Sequence, residues 1–177
     1  MTLYLTTERL DLQPLNLNDV AFIYELLNTE EWIEFIGDRH IKTNNDAINY
    51  IQKLLDNANI QYWVVRLKTN NESIGIVTFV KRDYLPYADL GFAFLKRFTQ
   101  QGYAFEAANE VLQNIINSKT ATKILATTVV NNVLSIQLLE KLGFTFDENI
   151  QEDNVTLNVY AKDISMETQV LSIEKRS

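Results

Sequence analysis

The residues best placed to do chemistry sit where Ala88-Asp89-Leu90-Gly91-Phe92-Ala93-Phe94-Leu95 gives way to Lys96-Arg97 and then to Gly102, where a helical pattern begins. The first turn of a helix leaves N–H groups unpaired at the positive end of its dipole, and anions bind there. Gly102 would let a phosphate approach the backbone. Lys96 and Arg97 put two positive charges beside it in a chain whose net charge is −7. No Gly-Lys-Ser/Thr follows, which excludes a P-loop, and no Gly-x-Gly-x-x-Gly occurs.

A second constellation is Asn131-Asn132-Val133-Leu134-Ser135 at the head of another helical pattern. Ser135 reads either as a reactive hydroxyl or as an ordinary polar residue in the first turns of a helix, where serine is common. Glu31, Glu34, Asp38, Asp83 and Asp89 are carboxylates in segments that could face a substrate, and each reads first as surface charge. Trp32, Phe35, Tyr84 and Tyr87 could line a pocket or pack in the core. The chain has no cysteine and one histidine, His40. Thiolate catalysis, disulfides and Cys-ligated zinc are thereby excluded, and no metal site is expected.

The elements that must position these residues follow from periodicity. Residues 9–15 alternate as a half-buried strand. Val20, Ile23, Tyr24 and Leu27 mark a helix after Asn18-Asp19, and Thr29 can cap a short second one. A third starts near Asn44 and carries Ile48, Ile51, Leu54 and Leu55. Residues 62–67 and 74–80 read as a hairpin, and 88–95 as a strand covered on both faces. Ala104, Ala107, Ala108, Val111, Leu112, Ile115 and Ile116 form one helical stripe. Residues 122–129 are strand, and Val133–Leu142 a helix closed by Gly143. Two strands finish the domain, around 144–146 and 155–161. The expected fold is α/β (α+β): a mixed, twisted sheet of about six to seven strands with helices on both faces.

At 177 residues and 46% hydrophobic composition the chain suits one domain, over residues 1–165, with a peripheral tail at 166–177. Net charge −7 argues against a general nucleic-acid binder and suits a cationic acceptor. No run approaches the ~20 apolar residues of a membrane span, so no membrane partner is expected and a cytoplasmic location is the default.

Leu90–Leu95 with Gly102-Tyr103-Ala104-Phe105-Glu106-Ala107-Ala108 resembles the acyl-CoA-binding stretch of the GNAT acetyltransferase superfamily. Asn131–Phe144, with Ser135 and Glu140-Lys141-Leu142-Gly143-Phe144, resembles its "Asn-x-x-Ser…Glu-Lys-Leu-Gly-Phe" helix. Thr7-Glu8-Arg9-Leu10 and the order of elements also match. The branch most similar contains the ribosomal-protein N-terminal (alanine) acetyltransferases, and the resemblance spans roughly residues 7–162. It implies acetyl-CoA as cofactor, a primary amine as acceptor (a peptide N-terminal α-amine or a small molecule) and, as assembly, a homodimer. It implies a splay between the strands at 88–95 and 122–129, with Phe92, Ala93 and Phe94 offering main-chain groups to the pantetheine arm. Gln100, Gln101, Gly102, Tyr103 and Ala104 would hold the pyrophosphate, and Asn132 and Ser135 would meet the reactive end. A main-chain N–H near Phe94 would polarise the carbonyl. Trp32, Phe35 and Tyr84 would bind substrate.

Two departures stand out. The branch pattern Trp-Gly-Lys-Gly-Tyr-Ala is here Thr99-Gln100-Gln101-Gly102-Tyr103-Ala104, so a glycine and a lysine are missing, and Arg97 is expected to compensate. Leu139 stands where many relatives carry an acid tyrosine, which leaves Ser135 as the acid. No residue pattern identifies the base. A lysine-type amine at pKa ~10.4 is neutral in roughly one molecule in a thousand at pH 7, an α-amine at ~7.7–8.0 far more often, which favours the second kind of acceptor. The alternative to an enzyme is a CoA-binding sensor or interaction module without turnover.

Overall fold

The computed structural model describes residues 2–164. Its elements are β1 (Leu5–Thr6), β2 (Leu10–Pro14), α1 (Val20–Leu27), α2 (Glu30–Phe35), α3 (Asn44–Leu55), β3 (Ile60–Leu67), β4 (Ser73–Val80), β5 (Asp89–Phe94), α4 (Tyr103–Ser118), β6 (Lys123–Val129), α5 (Val133–Lys141), β7 (Thr145–Glu152) and β8 (Val155–Asp163). The tail expected at 166–177 lies outside the described residues.

The strands form one eight-stranded sheet in the order β1-β2-β3-β4-β5-β6-β8-β7. Every neighbouring pair is antiparallel except β5 and β6, which are parallel and joined through α4. Eight strands replace the expected six to seven. The addition is β1, whose two residues are too few to show alternation. The strand expected only around 144–146 runs on to Glu152, because a two-residue turn at Asp153-Asn154, both with positive φ, folds it back against β8.

Alternation along β3 sets the layers. Trp63 and Val65 pack with α4, α5 and the middle of the sheet, whereas Tyr62 and Val64 pack with α1, α2 and α3 on the other face. Helices therefore cover both faces, but the strand at 89–94 is buried only at Asp89 and Leu90; residues 91–94, expected to be covered on both faces, are half-buried because β5 diverges from β6 there. The apolar stripe of α4 buries Val111, Leu112, Ile115 and Ile116 almost completely. At roughly 1.5–3 kcal/mol for each such side chain, packing outweighs intrinsic propensity in holding this helix.

Caps place the helix ends. Thr43 and Asp46 form a capping box at α3, and Thr29 accepts from the Trp32 N–H at α2. At the end of α5, Gly143 has φ +83; its N–H donates to Glu140 and that of Phe144 to Leu139, a Schellman closure. That stop turns the chain directly into β7, so both ends of α5 are fixed beside β6.

Candidate active site

The site begins with a failure of pairing. β4 and β5 share six registered pairs and β6 and β8 seven, but β5 and β6 share only Asp89 opposite Leu125, with the Leu125 N–H donating to Ala88 at 3.0 Å. Beyond that point the strands diverge. Antiparallel pairing alternates which residues face the partner, and the Leu95 N–H bonds to Ile74 on the β4 side. By that alternation Ala93 and Gly91 also bond β4, while Phe92 and Phe94 turn their N–H and C=O groups toward the gap. Their rings pack on the α4 side of the sheet, and the Phe94 ring lies where a Cβ on Gly75 would fall, 2.3 Å away. A side chain at Gly75 would therefore displace Phe94.

The chain then passes through a 3-10 turn at Lys96–Phe98 and into α4. Gln100 has φ +59 and Gly102 φ +82, and α4 starts at Gly102 without a side-chain cap. The N–H groups of Tyr103, Ala104 and Phe105 are left without helical partners. Arg9 crosses to this turn: Nη1 donates to the Gln101 carbonyl at 3.1 Å, and its guanidinium stacks 4.4 Å from the Tyr103 ring. Glu106, in the first turn of α4, ties the arrangement down by accepting from the Thr7 hydroxyl and from the Arg9 backbone and side chain. Partial burial works against its charge, but those donors prevail and hold the Glu106 carboxyl below the usual range.

Arg9 has no expected role in the sequence beyond its place in the motif Thr7-Glu8-Arg9-Leu10. Arg97, the residue expected to supply the missing charge, pairs with Glu25 at 2.6 Å and Glu72 at 3.4 Å, and Lys96 with Glu31 at 2.9 Å. Arg9 is the cation in contact with the turn.

On the far side of the gap, Asn132 caps α5 by accepting from the Ser135 N–H at 3.2 Å. A cavity of about 800 Å³ runs through the splay. Its wall brings together Phe92 and Ala93 of β5, Asn132 and Ser135 of α5, and the expected acceptor residues Trp32, Phe35 and Tyr84. Phe94, Arg97 and residues 100–104 are not on this wall; they follow where β5 runs out toward α4. Tyr50, Tyr62, Arg39 and Arg82 line it too, and the sequence reading gave none of them a role there.

Of the candidate carboxylates, Asp89 is the buried one on the wall, 2% exposed. Arg82 Nε donates to one of its oxygens at 2.9 Å and the Thr127 hydroxyl to the other at 3.3 Å. Burial raises the Asp89 carboxyl above its ordinary 3.8, with Arg82 and Thr127 opposing. The folded state therefore keeps the proton to higher pH than the unfolded chain does. Its contribution to stability is full below pH 3.8 and is lost as pH rises through the folded value, so at neutral pH this charge is held at a cost to the fold. Such groups gather at functional sites. Tyr84 beside it is likewise pushed up by burial, with Arg82 opposing. Glu34 is on the wall; Glu31, Asp38, Asp83, Tyr87 and His40 are not, and exposed His40 pairs with Asp38 at 3.0 Å.

A family model described as an acetyltransferase (GNAT) domain matches residues 9–145. The uncharacterised Bacillus subtilis protein YkkB is 24% identical over 162 residues, covering 89% of this chain and 94% of the relative. A solved GNAT-family acetyltransferase from Bacillus anthracis superposes with TM-score 0.77 at 22% identity, over 92% of this chain and 99% of that one. The ribosomal L7/L12 α-N-protein acetyltransferase RimL, solved with coenzyme A, gives 0.76 at 13% identity, over the same shares. No helix among the described residues is long and apolar enough to cross a membrane.

Proposed function

The chain belongs to the GNAT acetyltransferase family and is an N-acetyltransferase that uses acetyl-CoA, and on that premise we propose that it acetylates a primary amine by direct attack within the β5–β6 gap. The observation that carries this reading is the unpaired edge of β5, where Phe92 and Ala93 share one cavity wall with Asn132 and Ser135 and Phe94 continues the same edge just beyond it. Acetyl-CoA supplies, when bound, an acyl group activated as a thioester.

The chain's residues divide the remaining work. Phe92 and Phe94 offer N–H and C=O groups to the pantetheine arm as an added strand would use them, with Ala93 between them on the wall. A Phe94 N–H aimed at the acyl carbonyl would stabilise the charge that develops there. Gln100, Gln101, Gly102, Tyr103 and Ala104 present the uncapped start of α4 to the pyrophosphate, with Arg9 at its side. Arg97 would reach the phosphates only by leaving Glu25 and Glu72. Asn132 holds the α5 turn so that Ser135 faces the leaving sulfur.

As the new N–C bond forms and the C–S bond breaks, one proton leaves the amine and one reaches the sulfur. Asp89 is the carboxylate suited to the first transfer, directly or through a water, because burial makes it more basic than an exposed aspartate. The Ser135 hydroxyl is suited to the second. Trp32, Phe35 and Tyr84 form the acceptor's part of the wall.

A thiol-release assay with acetyl-CoA and an amine panel tests the proposal. Turnover is expected, and Ser135→Ala should lower kcat about a hundredfold while acetyl-CoA still binds. Tight CoA binding with no turnover on any amine would favour a sensor or scaffold; undiminished turnover in Ser135→Ala would remove the serine from the chemistry.

A further inference from the structure

The acceptor end of the cavity has two poles. At one, beside the last paired residues of β5 and β6, Asp89, Glu152 and Asp153 line the wall, and the Glu152 charge acts on the Tyr84 hydroxyl. Three carboxylates there, against one paired arginine, suit an ammonium or amine group. At the other pole lies Arg39, on the loop after α2. Arg9, Arg66, Arg82 and Arg97 all hold carboxylates, whereas Arg39 has no ion-pair partner among the described residues. It acts instead on the half-buried Tyr50 hydroxyl, through its charge and a side-chain hydrogen bond.

On the wall with Arg39 are the donors of Trp32, Tyr50 and Tyr62, together with one carboxylate of α2, Glu34. The Trp32 indole N–H and the Tyr62 hydroxyl are both buried without a hydrogen-bond partner among the described residues. Their residues are 5% and 7% exposed, so bulk water does not serve them. An indole nitrogen can only donate. Burial also keeps the Tyr50 and Tyr62 hydroxyls protonated by pushing them above their ordinary range. Orphaned buried donors are costly and rare, and a guanidinium with no carboxylate partner among the described residues calls for an occupant rich in acceptor oxygens.

We infer that the acceptor is a small amine that also carries an anionic group, carboxylate or phosphate, with the amine at the Asp89 pole and the anion at Arg39. The inference rests on reading this cavity as the acetyl-transfer site, and it separates the acceptor from a polyamine, which would bring a second cation to Arg39. Trp32, Phe35 and Tyr50 give the body between the two ends an aromatic and apolar surround.

The test uses the full chain, acetyl-CoA and matched pairs that differ only in the anion: phenylalanine against phenethylamine for a carboxylate, O-phosphoethanolamine against ethanolamine for a phosphate. In at least one pair the anionic member should be preferred about tenfold or more in kcat/KM. Arg39→Gln should bring that ratio to within about twofold of unity, and Arg39→Lys, which keeps the charge, should restore part of it. No preference in either pair, or a loss in Arg39→Gln that is equal for both members, would overturn the inference. Should no amine be acetylated although CoA binds, the transfer reading fails separately. The same pairs titrated calorimetrically into the CoA-bound protein then test the anion seat by itself: tighter binding of an anionic member, weakened by Arg39→Gln, upholds an anion site at Arg39, and equal or absent binding rejects it.

Discussion

Asp89→Asn is expected to lower kcat by about 10²–10⁴, the span associated with losing a positioned general base. The substitution keeps the shape of the side chain: its amide oxygen can still accept from Arg82 and its amide nitrogen can donate to the Thr127 hydroxyl, so it removes basicity more than structure. The deficit should depend on pH in a definite direction. Wild-type kcat should rise as pH climbs through the folded Asp89 pKa, which burial places above 3.8, and the asparagine variant should lack that acidic limb. As pH passes the acceptor's own pKa the amine arrives without its proton, the base matters less, and the two enzymes should converge. A deficit of constant size from acid to alkaline pH would mean that Asp89 only braces the fold. Arg82 sharpens the reading. Its guanidinium is drawn down by burial but held up more strongly by Asp89 and Tyr84. It therefore stays charged throughout, and the titrating partner is the carboxylate.

Gly102→Val is expected to weaken CoA binding at least about thirtyfold. Gly102 has φ +82, a conformation that costs L-residues roughly 1–2 kcal/mol and is worst for a β-branched side chain. An added Cβ would also stand 3.2 Å from Nη2 of Arg9, the cation at the turn. Relief of that strain requires the turn or Arg9 to move, and either change spoils the set of N–H groups at the start of α4. At 1.4 kcal/mol per decade, about 2 kcal/mol of lost contact gives the stated factor. The folded fraction, followed by the thermal unfolding midpoint, separates binding from stability. A folded Gly102→Val protein with unaltered CoA affinity would move the pyrophosphate away from this turn.

Much of the architecture was legible because it is written locally. The helices of residues 20–27, 44–55, 103–118 and 133–141 have apolar spacings that only one period fits, and Gly143 marks its own helix end. The edge strand at 145–152 was only partly legible. Its side chains are mostly exposed and polar, so no alternation betrays it, and its pairing to β8 makes it a strand. The site shows the same division. Phe92, Asn132 and Ser135 lie in motifs that can be read along the chain. Arg9 meets Glu106 across 97 positions, and Tyr50 and Tyr62 reach the cavity from elements whose periodicity says only that one face is buried. The charge of Arg97 is evident in sequence, whereas Glu25 and Glu72, which pair with it, become its neighbours only in the fold.

The central claim is that β5 leaves an unpaired main-chain edge for the pantetheine arm, and amide hydrogen exchange on adding CoA addresses it residue by residue. The alternation of β5 predicts that the amides of Phe92 and Phe94 slow about tenfold or more on binding, while those of Gly91 and Ala93, already bonded to β4, change little. If CoA binds by calorimetry and the Phe92 and Phe94 amides exchange as fast as before, the cofactor lies elsewhere and the gap between β5 and β6 is not its seat.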